Sequence, residues 1–379
     1  MSKLWTAITL LLGFAACCFS DSIEITPIKS KGAGPLFRIH HGKKWGYMDR
    51  GGRVVIPPRF DGEGDFFAGL ARVERNGLWG YVDEVGRIRI PYQFEDADDF
   101  QEGLAAVQSG RQWGYINSTG RFVIPPKFQG AAVFSGGLGR VVVWETIQCD
   151  RGPTYTKDDA PLHLFTLYSL WPHCADNRRF GYVNHDGTVS ISPQFTEAED
   201  FAEGLAVVRI TEGDHGRYGF IDKTGKTSIN AEFDFAGGFV DGLSLVCVTD
   251  APSLCGFIDH TGRFAIEARF SWAGSFSDGL AMVRADDGDD IGFIDKRGSF
   301  VIPPKFHQAQ SFSDGLAFVR SDPEANAYFI DKSGRVALRP KLKVRWPFSE
   351  GLTVAGEQGK QVYLDQQGTI VAPYEINPQ

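Results

Sequence analysis

The sequence predicts an all-β protein of tandem repeats, and three observations lead there. The 379 residues include 45 Gly and 19 Pro, which favour turns. They also include 30 Phe, 11 Tyr and 8 Trp against 3 Met, a bias toward strand formers with ample apolar material for a core. Finally, the strings WGYMDRGGRVVIPPRF (45–60), WGYVDEVGRIRIPYQF (79–94) and WGYINSTGRFVIPPKF (113–128) align without gaps, with Trp45, Trp79 and Trp113 spaced 34 residues apart. Degenerate copies begin at Phe180, Tyr218, Cys255, Ile291, Ala327 and Val362. Intrinsic disorder of the whole chain is excluded.

Each unit opens with an alternating Leu-Ala-x-Val, a strand with one buried face, and Trp-Gly-Tyr-Val-Asp alternates in the same way. The two form a hairpin. On this alternation Trp45, Trp79 and Trp113 fall on the core face, and the Gly after each Trp lets a neighbouring ring or backbone come close. Asp-x-x-Gly then supplies a side-chain acceptor at the first turn position and a residue free to take positive φ at the fourth. The third strand, Arg-x-x-Ile-Pro, ends at a residue that cannot donate to a ladder. Phe94, Ala97 and Phe100 recur every third residue, which predicts one short helical turn stopped at Gly103. The acid before Gly-Leu (Glu102, Glu203, Asp241, Asp278, Asp314, Glu350) reads as part of a turn, and stacking in register would line these acids into a stripe.

These strings resemble the WG-containing repeat, the KWG-type repeat of bacterial proteins, over roughly residues 35 to 375. The resemblance implies an interaction scaffold and carries no common catalytic motif. Nine three-stranded meanders start near Leu36, Leu70, Leu104, Leu138, Leu205, Leu243, Leu280, Leu316 and Leu352. The expected architecture is an open, twisted, solenoid-like array; its alternative is a closed β-propeller.

Residues 1–20 have the order of a secretory signal: Lys3, an uncharged apolar run, then small residues. Phe14-Ala15-Ala16-Cys17 also resembles a bacterial lipobox, with Phe14 where Leu is usual, so lipidation at Cys17 competes with soluble release. Either way the chain is expected to be exported, to the periplasm, the outer envelope or the medium. Membrane contact is expected only through a lipid at Cys17. Residues 21–34 read as a linker or cap, and 35–379 as the array.

The fourth unit inserts residues 145–179 into its first hairpin, an aromatic segment on a repeat scaffold. Trp144, Tyr155, Tyr168 and Trp171 are its candidate partner-binding residues. Four cysteines remain after Cys17 and Cys18, an even number in an exported chain. Cys149 with Cys174 would pin the insertion, and Cys247 with Cys255 would bridge a hairpin where Cys255 takes the Trp position; two other pairings stay open. The spacing of His163, His173, Cys149 and Cys174 matches no zinc pattern.

The net charge of −8 supplies no global field for nucleic acid, which is not an expected partner. No nucleophile elbow, phosphate loop or metalloprotease motif is present, so neither catalysis nor a cofactor is expected. The function expected is a non-catalytic exported scaffold that binds a protein or an envelope polymer. A lectin-like binder using Trp144, Tyr168, Trp171 and Trp272 is the alternative, and an enzyme whose site is shared by several repeats is the third reading.

Overall fold

The computed structural model describes residues 34–143, 146–149, 155–156, 174–175, 178–212, 215–248, 254–285, 288–323, 326–344, 347–357 and 360–373. Among them there is no helix, and every pairing is antiparallel. The nine expected meanders are present. The third is typical: Leu104–Ser109, Gln112–Asn117 and Phe122–Phe128 follow one another through tight turns. The second turn is the one that Asp-x-x-Gly predicts. In the second unit Asp83 Oδ1 accepts from the backbone of Val85 (3.2 Å) and Arg87 (2.8 Å), and Gly86 takes φ of 80°.

The expected helical turn is not there. Asp96–Ala97 instead forms a two-residue leading strand opposite Gln108 and Val107. The chain then reverses between Gln101 and Leu104, whose backbones exchange bonds of 2.9 and 3.0 Å. Both central residues are left-handed, Glu102 at φ 50° and Gly103 at 86°, which makes a two-residue type I′ hairpin. Apolar residues at every third position suit a bent strand entering such a turn as well as a helix. Phe94, Ala97 and Phe100 are all buried, which is what their spacing records. With the leading strand, eight units have four strands; among the described residues the first has three.

The Gly after Trp is fixed by close packing. A Cβ on Gly80 would lie 2.6 Å from the carbonyl oxygen of Ile90, because the third strand bulges across it, and Gly46 and Gly114 are placed alike. The neighbouring Trp, however, is not core. Trp45, Trp79 and Trp113 are half-buried, whereas Tyr47, Tyr81 and Tyr115 are sealed. Trp and Tyr do share a face, but Trp79 pairs with Glu74 just inside the hairpin tip, where the sheet ends. There it caps the core edge, with the Arg72 guanidinium 5.4 Å from its ring centre.

The buried tyrosines join each unit to the next. Tyr47, Tyr81, Tyr115 and Tyr182 donate to the carbonyls of Gly64, Asp98, Ala132 and Glu199, at 2.6–2.8 Å. Each meets a Phe of the following unit edge-on, as Tyr81 meets Phe100 at 4.8 Å. Units five to eight keep the contact with Phe220, Phe257, Phe293 and Phe329 and dispense with the hydroxyl. Burying one such ring contributes about 2–3 kcal/mol. The acids of the turns add a polar tie: Glu102, Glu203, Asp278 and Asp314 each accept the N–H of the Gly in the next unit's turn, at 2.7–3.0 Å.

The two ends of the array meet. Ile39 and Met48 of the first unit share one core with Leu352, Val354, Tyr363 and Ala372 of the last. Tyr363 donates to the carbonyl of Arg38 at 2.7 Å, and its ring meets Phe37 at 5.8 Å. Gly52 sits against Ala372 just as Gly86 sits against Ile56 and Gly120 against Ile90. Of the two arrangements the repeats allow, these contacts between the ends are the feature of the closed one.

Candidate functional site: a charged sector on the leading segments

Beside each buried Phe that follows a leading strand, the units differ. Three arginines occupy one equivalent position of the first long strand, Arg38, Arg72 and Arg140, and each reaches forward to the next unit's leading segment. Arg38 faces Glu63 (3.4 Å) and Asp65 (3.3 Å). Arg72 faces Asp98 (3.5 Å) and Asp99 (3.2 Å), and its Nη1 donates to the Ala97 carbonyl at 2.5 Å. Arg140 pairs with Asp200 at 2.8 Å and donates to the carbonyl of Ala198 at 2.9 Å.

Glu199 lies beside Asp200, so six carboxylates share three guanidiniums. Partial burial raises the proton affinity of Glu63, Asp98, Asp99 and Glu199 above the usual carboxylate range, and the arginines only partly oppose it. Neighbouring charge pushes the same way. Asp98 feels Asp200, two units further on, and Asp99 feels Asp65, so these groups converge although they come from separate repeats. Such a surface attracts cations and hydrogen-bond donors and exchanges protons above the ordinary carboxylate range.

Elsewhere in the array the same positions are neutral. Leu245, Met282 and Phe318 stand where the arginines do, and Gly237-Gly238, Gly274-Ser275 and Gln310-Ser311 replace the acid pairs. The charged positions are therefore confined to the first five units, where the fourth leading segment, with Ala132-Val133, is itself neutral, and the positions of the later units are uncharged. Among the described residues no group of His, Cys, Asp and Glu has an arrangement that could hold a metal ion.

The candidate residues read from the sequence are placed as follows. Cys17, Trp144, Tyr168 and Trp171 lie outside the described residues, as does the signal of residues 1–20. Tyr155 is described only in its backbone, which pairs with Ile147. Cys149 and Cys174 are register partners on adjacent strands, in backbone terms alone. Cys247 and Cys255 are register partners joined by a disulfide, their Cα atoms 4.0 Å apart. Trp272 is an exposed ring with Arg284 5.9 Å from its centre, and Phe235 is exposed at the equivalent place one unit earlier. The charged sector was missed by sequence reasoning. Its signal was the acid pair before the second Phe in FEDADDF and FTEAEDF, set against GGF, GSF and QSF in later units.

Among solved structures, the chain is similar to apo AztD from Citrobacter koseri, at 10% identity over 91% of this chain and 95% of that one, with a TM-score of 0.38. It is also similar to a protein of unknown function from Bacteroides caccae, at 15% identity over 52% of this chain and 89% of that one, with a TM-score of 0.25. A third is TolB from Acinetobacter baumannii, at 10% identity over 72% and 77% of the two chains, with a TM-score of 0.29. No curated protein matches the chain. The sequence profile of the WG containing repeat matches residues 45–79, 79–111, 113–143, 180–212, 218–250, 256–288 and 291–322, more than half of the chain. With the repeated hairpins on which those matches fall, three of them carrying Trp-Gly, this chain belongs to the WG-containing repeat family.

Proposed function

We propose that the protein is a non-catalytic, exported binding scaffold whose charged sector takes a basic segment of a partner protein. The observation that carries this reading is the division of equivalent positions into a carboxylate-rich sector and a neutral one. A repeat array kept only for stability has no need of it, because half-buried carboxylates cost desolvation that Gly, Ser and Gln avoid. Residues 145–179 would add a second contact surface, with Trp144, Tyr155, Tyr168 and Trp171 as its aromatic anchors. Export rests on residues 1–20, with release or a lipid at Cys17 as its two forms.

The test is affinity capture from envelope extract with three proteins: the chain from residue 21, a version with Asp98→Asn and Asp99→Asn, and a version with a short Asn-Gly turn in place of 145–179. Capture that falls at least tenfold in the double variant and weakens with salt supports the charged sector. Equal capture by the double variant overturns it. A second reading is favoured by Phe235 and Trp272, two exposed rings at equivalent positions of adjoining units, which suit stacking of a sugar. Glycan-array binding that is lost on Trp272→Ala would establish that reading instead.

A further inference from the structure

The hairpin tips of the second and third units are built alike and capped differently. Arg75 pairs with Leu78 and Ser109 with Gln112, so two residues make each turn, Asn76-Gly77 and Gly110-Arg111, with all four at φ between 54° and 79°. In the third unit Glu95 accepts both turn amides, from Gly110 at 3.1 Å and from Arg111 at 2.9 Å. The equivalent acid of the second unit is Asp61, one methylene shorter. One of its oxygens takes the Asn76 N–H at 3.1 Å, and the other is held by the Lys44 ammonium at 2.5 Å. Leu78 stands where Lys44 does one unit later, so no cation competes for Glu95 from that position. Among the described residues, the Gly77 N–H and the Asn76 carboxamide make no hydrogen bond. Both residues are exposed, and nothing lies within 4 Å of the place where a Gly77 Cβ would sit.

An Asn carboxamide is open to attack by the next backbone nitrogen where that N–H is free, the carboxamide can turn, and the next residue has no side chain in the way. Asn76-Gly77 meets all three conditions and is the one Asn-Gly step in the 379 residues. By contrast, Asn117 Oδ1 accepts from Thr119 and Arg121, and Asn184 Nδ2 donates to Thr188 at 2.9 Å. We propose that Asn76 is a site of spontaneous deamidation, set apart from the other asparagines by its half-capped tip. The Gly77 nitrogen loses its proton to solvent and bonds to Asn76 Cγ, and the Cγ–Nδ2 bond breaks to release ammonia. Water then opens the succinimide at either carbonyl, leaving aspartate or isoaspartate, and nothing is oxidised or reduced. The turn has to loosen for the attack, and an exposed tip held by one amide belongs to the low end of local stability. Asp61 joins the tip of the first unit to that of the second, so a carboxylate arriving at residue 76 acts on this junction by repelling Asp61. The proposal is independent of the binding function.

The test holds the folded chain from residue 21 at mildly alkaline pH, where a backbone nitrogen is more readily deprotonated, and follows every asparagine by peptide-mapping mass spectrometry. The expected result is conversion at residue 76 several-fold faster than at Asn117 and Asn184, with aspartate and isoaspartate peptides both found. A second arm copies the cap of the third unit onto the second. Lys44→Leu with Asp61→Glu frees both carboxylate oxygens for the turn amides, and conversion at residue 76 should slow several-fold while the Asn-Gly step is unchanged. A thermal melt establishes that the double variant is folded; if it is not, Asp61→Glu alone is read in the same way. Conversion at residue 76 no faster than at Asn117 and Asn184, or an equal rate in the folded variant, overturns the proposal.

Discussion

Glycine has two separate duties in this chain, and substitution tells them apart. At Gly80 the backbone is unexceptional but a Cβ would press on the Ile90 carbonyl at 2.6 Å, so Gly80→Ala should cost about 3 kcal/mol, the upper end for overpacking. At Gly103 nothing lies within 4 Å, and the whole penalty is the left-handed backbone; Gly103→Ala should cost about 1 kcal/mol. Denaturant unfolding of the two variants checks both the order and the gap. The Gly beside Trp was readable from sequence as a point of close approach, because a residue without a side chain between two aromatics has few other uses. The half-burial of the Trp was not readable, because alternation gives the face of a strand and not the distance from its tip. Arg72 is a further case. Arg72→Met removes the guanidinium that faces Asp98 and Asp99, and unfolding free energy should fall by about 2 kcal/mol, less than for a fully buried pair because solvent reaches this one.

Among the elements, the type I′ turn links one unit to the next, and two copies, at Ala68 and Gly136, lack its acid. Ala68 holds φ of 49° without the carboxylate that Glu102, Glu203, Asp278 and Asp314 extend to the following Gly. Ala68→Asp puts a residue better suited to that conformation in place and supplies an acceptor for the Gly103 N–H. A gain of about 1 kcal/mol is expected, measurable as a higher melting temperature. The meander, the Asp-x-x-Gly turn and the repeat number were all legible, because each depends on local spacing. The leading strand was not, since two residues carry no period, and a Glu at positive φ has no signature until its hydrogen bond to the neighbouring unit is seen. The acidic residues of the charged sector were in view but were averaged away, since a repeat is found by what its copies share and a site by what they do not.

At the scale of the whole molecule, two sets of carboxylates pull stability in opposite directions with pH. Glu63, Asp98, Asp99 and Glu199 have native proton affinities above their unfolded values, so the native state takes up protons first and gains stability as pH falls from neutral toward the ordinary carboxylate range. Asp331 is held at about 2, chiefly by the Ser333 hydroxyl, and its contribution is present above the unfolded carboxylate range and lost as pH falls toward 2. Thermal melts from neutral to strongly acid pH should therefore pass through a maximum on the acid side. Asp98→Asn with Asp99→Asn should flatten the neutral limb alone.

Contact between the first and last units makes the starting point of the sequence arbitrary with respect to the fold. A circular permutant that joins residue 379 to residue 34 through a short linker, and opens the exposed tip between Gly110 and Arg111, keeps every sheet and every junction between sheets. It should reach the same native state, with the same order of units around the ring, from termini that lie in the third repeat.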